Sequence, residues 1–115
     1  MPEGHAVFRV ITGLGRGKIV RKQFYFTTHQ LMYFVYVLKS DKDGNFYIGY
    51  STDLKRRVVA HLAARVAATK SRLPLKLIYF EAYLNRLDAK GREMFLKSGS
   101  GHRFLKKQLK NYLKT

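Results

Sequence analysis

The alternation of apolar and polar positions becomes regular after Met32. Tyr33–Lys39 is rich in Tyr, Phe and Val, a composition typical of a β-strand. Asp41–Gly44 has the residues of a tight turn, and Asn45–Tyr50 returns to bulky apolar side chains. These three segments together predict a β-hairpin, in which side chains alternate between the two faces of the sheet.

A helix is predicted to follow the hairpin. Positions 51–53 hold three residues that suit an N-cap. An apolar stripe with helical spacing comes next, at Leu54, Val58 and Leu62. We expect this stripe to face the core and the helix to end near Ala68. A basic loop, Thr69–Leu73, then leads to Pro74, which a helix interior would not tolerate.

The rest of the chain predicts one more strand and two helices. Leu75–Tyr83 has the apolar content of a strand in a sheet interior. Asn85 suits the N-cap of a helix that runs to about Lys97, and Ser98–Gly101 is expected to end it. A final helix is predicted over His102–Leu113, with three leucines facing inward: Leu105, Leu109 and Leu113. The order ββαβαα predicts an α+β fold, with a small three-stranded, mostly antiparallel sheet flanked by helices.

Residues 1–31 lack a clear period and differ from the rest of the chain. They contain several glycines, and only Val7–Ile11 and Phe24–Phe26 have the composition of short strands. One interpretation is that Met32 is the natural start of the domain. The sequence therefore predicts a domain over residues 32–115, preceded by a poorly patterned N-terminal extension.

Composition adds a strong charge signal. The 115 residues suit one domain, 46% of them are apolar, and the formal net charge is +16. Such an excess of cations favours a polyanionic partner, of which nucleic acid is the commonest and acidic lipid the second. The alternative is a lysine-rich, solvated surface without a partner.

Two absences narrow the class of protein. The chain has no cysteine, which excludes disulfide frameworks and cysteine-bound zinc. Its longest apolar run, Leu31–Leu38, is far shorter than the roughly 20 residues of a membrane span, and no secretory signal is recognisable. We therefore expect a cytoplasmic protein that does not insert into a membrane.

The hairpin geometry places two tyrosines together. If Ser40 pairs with Asn45 across the turn, Tyr36 lies opposite Gly49, and Tyr47 lies on the same face. The two tyrosines are then diagonal neighbours, roughly 7–8 Å apart at the backbone. We expect Gly49 to leave open space beside Tyr36, so that another group can approach the phenol.

The predicted helix after the hairpin carries Arg57 and His61, which share a face because they are four residues apart. The planar fork of an arginine suits a phosphodiester, and a phenol or an imidazole can take a proton from water. Hydrolysis of this kind would also need a metal with a hard oxygen ligand. Glu93, on the second predicted helix, is the best candidate.

This ordered set of residues resembles the GIY-YIG nuclease superfamily. The likeness is greatest to small stand-alone bacterial members related to the N-terminal nuclease domain found in excinuclease. The segments that carry it are Phe34-Val35-Tyr36, Tyr47-Ile48-Gly49, Arg57 with His61, Arg92-Glu93, and Leu96–Leu109. Two departures stand out: Phe34 replaces the first glycine of the family motif, and Gly91 lies inside the helix that carries Glu93.

The resemblance implies a one-metal DNA endonuclease that uses Mg²⁺ or Mn²⁺. Tyr36 would be the general base on the attacking water, assisted by Tyr47 or His61. Arg57 would hold the scissile phosphate, and Glu93 would bind the metal. No sequence-reading element is recognisable, so we expect a role in DNA repair or processing, on branched or damaged DNA, without strong sequence specificity.

Six basic residues are candidate contacts to the DNA backbone: Lys70, Arg72, Arg103, Lys106, Lys107 and Lys110. Such contacts give affinity without sequence choice and weaken steeply with salt. Two alternatives remain at this point. One is a non-catalytic nucleic-acid-binding module that keeps the fold, and the weaker one is a basic ribosome-associated protein.

Overall fold

The computed structural model describes residues 31–115. Its strands are β1 (Tyr33–Ser40), β2 (Phe46–Ser51) and β3 (Leu75–Tyr83). Its helices are α1 (Leu54–Leu62), α2 (Arg86–Lys97), α3 (Gly99–Gln108) and the single turn α4 (Lys110–Leu113), and a 3₁₀ turn covers Lys70–Arg72. The predicted α+β fold is confirmed. The two short strands predicted at Val7–Ile11 and Phe24–Phe26 lie outside the described residues.

The sheet has the order β2-β1-β3, and β1 pairs antiparallel with both neighbours. The Ser40 amide donates to the Asn45 carbonyl across the turn, with an N–O distance of 3.0 Å. Tyr36 pairs with Gly49, and Leu38 pairs with Tyr47. The predicted hairpin register is therefore confirmed, and it puts Tyr36 and Tyr47 on one face.

Strand β1 is buried on both of its faces. Val35 and Val37 pack against helices α2 and α3, through Ala89, Leu96 and Leu105. On the opposite face Phe34, Tyr36 and Leu38 pack with Leu54 of α1 and Leu75 of β3. The continuous apolar run of β1 follows from this position in the middle of a sheet covered on both sides.

Helix α1 is shorter than the sequence predicts. It ends at Leu62 rather than near Ala68, because Val66 and Thr69 are buried and the chain must turn back to reach those positions. Leu62 is 49% exposed, whereas His61 is completely buried. The inward face therefore runs through Leu54 and His61, and the expectation that Leu62 faces the core is wrong.

The second correction concerns Ser98–Gly101, which does not form a linker. Ser98 ends α2 and is also the N-cap of α3, where its Oγ accepts the Gly101 amide at 3.1 Å. A Cβ at Gly101 would overlap the backbone of Leu96, so only glycine allows this tight corner. The final predicted helix is also broken, because Leu109 separates α3 from α4.

A polar network fixes α2 against the sheet. The Arg92 guanidinium donates to both carboxylate oxygens of Glu81, at 2.9 and 3.0 Å. The hydroxyls of Tyr79 and Tyr83 donate to the same carboxylate, at 2.6 and 2.5 Å. The guanidinium also lies over the ring of Phe104, 4.5 Å from its centre. This network holds the α2 segment that precedes Glu93, and none of the described helices could cross a membrane.

The network predicts an acid-sensitive part of the stability. Burial raises the pKa of Glu81, but hydrogen bonds from Arg92 and the two phenols outweigh it and leave the pKa below 4.5. A lowered folded-state pKa stabilises the fold above the unfolded-state pKa, and this contribution is lost as pH falls through the folded-state value. Glu81→Gln should lower the free energy of unfolding at pH 7 by about 1–3 kcal/mol.

Urea unfolding at pH 7 and below pH 4 checks this prediction. The difference between wild type and Glu81→Gln should shrink at the lower pH. The matched control is Asp88→Asn, which removes an exposed carboxylate on the same helix and should change stability by less than about 0.5 kcal/mol. A Glu81→Gln deficit that stays constant with pH would contradict the assignment to the ionised carboxylate.

Candidate active site

Tyr36 lies across Gly49 at the centre of the candidate site. Tyr36 has no exposed surface, and a Cβ added at Gly49 would overlap its Cζ and hydroxyl. The expectation that Gly49 leaves open space beside the phenol is therefore wrong, because the Tyr36 ring fills that space itself. The role of the glycine is to let the ring lie flat across the neighbouring strand.

The Tyr36 hydroxyl is hydrogen-bonded to His61 Nε2 at 2.8 Å. On the other side of the ring, His61 Nδ1 is 2.7 Å from the Thr69 hydroxyl. A neutral imidazole has one donor and one acceptor. If Nδ1 donates to Thr69, Nε2 accepts the proton of Tyr36, and the pair can pass a proton from the phenol to the imidazole.

Burial, and then the nearby Arg57 charge, lower the pKa of His61 below 6.5. The imidazole is therefore neutral at pH 7 and able to accept a proton. Burial also raises the pKa of the Tyr36 phenol above 10.0, although Arg57 opposes this effect. At neutral pH the site holds a neutral imidazole beside a protonated phenol.

Tyr47 and Arg57 complete the cluster. The Tyr47 ring centre lies 5.0 Å from that of His61 and 6.4 Å from that of Tyr36. Hydrogen bonding with Tyr36 is the main cause of the raised pKa of Arg57, and Tyr47 contributes as well. Arg57 is exposed and Tyr47 is half-buried, so these two side chains form the solvent side of a cluster whose interior is Tyr36 and His61.

Glu93 lies on α2 with its side chain only 12% exposed. Lys90 contacts one carboxylate oxygen at 2.9 Å and Lys97 contacts the other at 3.1 Å. Burial raises the pKa of Glu93, but the two lysines outweigh it and leave the pKa below 4.5. The carboxylate is therefore ionised at neutral pH, and its charge is close enough to Tyr36 to raise the phenol pKa.

The residues present fit a hard divalent cation in one limited way. In the described part of the chain, no group of three or more His, Cys, Asp or Glu side chains could hold a metal. A lone carboxylate still suits Mg²⁺, which keeps several waters and takes further oxygens from a substrate phosphate. Glu93 would be the protein ligand, and Lys90 or Lys97 would have to release one of its oxygens.

The basic residues predicted to contact DNA lie on two separate parts of the surface. Lys70 and Arg72 belong to the 3₁₀ turn, where Arg72 Nε is paired with Asp43 at 2.8 Å. The other four are exposed on α3 and α4, with helical spacing: Arg103, Lys106, Lys107 and Lys110. Of the two groups, the α3–α4 face has the guanidinium and ammonium groups available for a polyanion.

Sequence reasoning missed Thr69, the second hydrogen-bond partner of His61. It follows His61 by eight residues and lies beyond the end of α1. A threonine in a basic loop carries no periodic signal, so only the fold reveals this contact.

A comparison with known families agrees with this geometry. The family described as the GIY-YIG catalytic domain matches residues 32–108. The chain belongs to the GIY-YIG family. This is a family of nucleases whose substrates are nucleic acids and whose members generally use divalent metals.

Several relatives of this GIY-YIG chain carry the name UPF0213 protein, which states no activity. The one from Streptococcus pneumoniae is 42% identical over 65 residues, which is 56% of this chain and 65% of that relative. The match thus spans slightly less than two thirds of the pneumococcal protein. The one from Lacticaseibacillus paracasei is 40% identical over 72 residues, which is 62% of this chain and 80% of that protein.

One solved structure is also similar to this chain. It is the solution NMR structure of the UPF0213 protein BH0048 from Bacillus halodurans, with 31% identity and a TM-score of 0.43. The likeness covers 65% of this chain and 82% of that one.

The contact between Tyr36 and Gly49 yields a direct test. Gly49→Ala should destabilise the fold by about 1–3 kcal/mol, because the new methyl group displaces the Tyr36 ring. The control is Gly91→Ala, where a Cβ meets nothing within 4 Å on an exposed helix face and should stabilise by about 0.5–1 kcal/mol. Urea unfolding measures both, and equal effects of the two variants would contradict the close packing at Gly49.

Proposed function

We propose that this protein is a divalent-metal-dependent DNA endonuclease that hydrolyses phosphodiester bonds. We place it in DNA repair or processing, acting without strong sequence specificity. The single observation that carries the proposal is the 2.8 Å hydrogen bond between the Tyr36 hydroxyl and His61 Nε2. That bond lies inside a cluster that Tyr47 and Arg57 cover on the solvent side.

The proton path in this proposal begins at the attacking water. Tyr36 accepts a proton from the water as its own proton passes to His61, whose lowered pKa keeps it neutral beforehand. Thr69 holds the imidazole in the orientation this transfer needs. The transfer creates an imidazolium inside the fold, which the developing negative charge of the phosphate stabilises.

Access to Tyr36 depends on Arg57. The phenol has no exposed surface, and the Arg57 guanidinium lies next to it. A scissile phosphate that binds Arg57 through charge-assisted hydrogen bonds draws the guanidinium away from the phenol. Substrate binding therefore uncovers the general base and admits the water in the same step.

Glu93 is the residue that would hold the metal. Its ionised carboxylate has the hardness that Mg²⁺ or Mn²⁺ requires. When bound, the cation would supply positive charge that stabilises the leaving oxygen. Lys90 and Lys97 hold the carboxylate in place in its absence.

The exposed cations support DNA as the substrate. The formal net charge is +16, and the α3–α4 face presents four exposed basic side chains on adjacent turns. Contacts of this kind bind the phosphate backbone without reading bases. Branched or damaged DNA would then be chosen by its shape, and affinity would fall steeply with salt.

A non-catalytic nucleic-acid-binding module is the second candidate. The observations that favour it are the complete burial of Tyr36 and the pairing of both Glu93 oxygens with lysines. The two candidates share the fold and the charge, and differ in whether DNA is cut when a metal is added.

Nicking of supercoiled plasmid with Mg²⁺ or Mn²⁺ separates the two candidates. Arg57→Gln and Glu93→Gln should each lower the rate by about 10²-fold or more, because each removes a charge that stabilises the transition state. Arg86→Gln and Asp88→Asn are matched controls, since both residues are exposed on α2, and they should cut at the wild-type rate. Equal nicking by all five proteins would point to a contaminant and remove the endonuclease proposal.

The pH profile gives a further prediction. Protonated His61 cannot take the proton of Tyr36, so kcat/KM should fall on the acid side as His61 becomes charged. Because burial lowers the pKa of His61, the acid limb should lie below 6.5. NMR titration of the His61 ring gives its pKa independently, and an acid limb that does not coincide with that titration would contradict the role of His61.

A further inference from the structure

A second pocket lies beside Arg57, on the side of α1 away from the phenols. The loop at Ser51–Asp53, the outer face of α1 and the residues after its end enclose about 410 Å³ that is open to solvent. Arg56, Arg57 and Arg65 all line it. A volume of this order falls within the roughly 300–1,000 Å³ of small-ligand sites, so the pocket has room for more than an isolated ion.

The pocket is strongly cationic. It holds three guanidinium groups against a single carboxylate, that of Asp53. The Asp53 side chain is already engaged as the N-cap of α1, where it accepts the Arg56 backbone amide at 3.1 Å. Within residues 31–115, none of the three guanidiniums forms an ion pair with a carboxylate. The pocket therefore lacks the anion that its charges call for.

The early end of α1 is what brings Arg65 to this pocket. Ala64 adopts a left-handed conformation with φ of 61°, which costs a non-glycine residue about 1 kcal/mol or more. The turn is closed by a hydrogen bond from the Arg65 amide to the Ala60 carbonyl at 2.9 Å. A helix continuing straight to Ala68 would have carried Arg65 along the axis, away from Arg56.

We infer that this pocket is a second phosphate subsite, which holds the backbone phosphate next to the one bound by Arg57 in the same DNA strand. Arg56 and Arg65 are its ligands, and their planar forks suit the non-bridging oxygens of a phosphodiester. The inference rests on the proposed function for the assignment of Arg57 to the scissile phosphate. The subsite itself requires only a strand with two consecutive phosphates.

A subsite of this kind acts on binding rather than on the bond that breaks. Loss of Arg56 or Arg65 should raise KM for DNA and leave kcat little changed, whereas loss of Arg57 lowers kcat. The subsite would also fix the direction in which the strand crosses the cluster of Tyr36 and His61. It contacts no base, so it adds no sequence preference.

Thymidine dinucleotides in EDTA test the subsite without any cutting. The probes are pTpT, with two phosphates, and TpT, with one. Side-chain Nε–Hε NMR signals of the full-length protein should shift for Arg57 with either probe, and for Arg56 and Arg65 with pTpT. The second phosphate should tighten binding by about tenfold in the wild type. The Arg56→Gln, Arg65→Gln double variant should lose that gain.

Lys55→Gln is the matched control, because Lys55 is exposed on the same helix and does not line the pocket. It should keep the tenfold gain. The inference is overturned if pTpT binds the wild type no better than TpT, or if Lys55→Gln loses the gain as fully as the double variant. Equal shifts of Arg56 and Arg65 with inorganic phosphate would overturn the strand assignment in favour of a free-phosphate site.

The outcome is separable from that of the proposed function. If plasmid is not nicked but the pTpT gain depends on Arg56 and Arg65, the endonuclease proposal fails and the two-phosphate subsite remains. If plasmid is nicked and the gain is absent, the subsite fails alone.

Discussion

The candidate site depends on one buried hydrogen bond, between the Tyr36 hydroxyl and His61 Nε2. Neither side chain has exposed surface, and an unpaired polar group at such a position would cost about 1–3 kcal/mol. Gly49 gives the phenol its position, and Thr69 satisfies the other nitrogen of the imidazole. The bond therefore links β1, β2, α1 and the loop after α1 into one unit.

The charges around this unit are arranged by depth. The interior holds neutral groups, with Tyr36 protonated and His61 uncharged at pH 7. Arg57 lies at the surface of the cluster, and Glu93 is ionised between two lysines. A polyanionic substrate would meet fixed cations first and the proton-transfer pair only after Arg57 has moved. The order of events in the proposed hydrolysis follows from this layering.

Much of the frame was predictable because local rules decide it. The turn at Asp41–Gly44 and the period of two fix the hairpin register, so the pairing of Tyr36 with Gly49 followed from the sequence alone. Strand β3 and helix α2 have the bounds that composition and the Asn85 cap predict. The end of α1 was misplaced, since the alanine-rich stretch after Leu62 favours a helix and the burial of Thr69 overrides that preference.

The sequence by itself determined which chemical groups are present, their order, and which face of the hairpin carries the two tyrosines. Only the tertiary structure decided that the Tyr36 ring fills the space above Gly49. It also decided that Thr69 reaches His61 and that Arg65 joins Arg56 at a second pocket. The physical reason is range. Strand alternation and turn chemistry act between near neighbours, whereas burial and hydrogen bonding of His61 join segments that no periodic pattern connects.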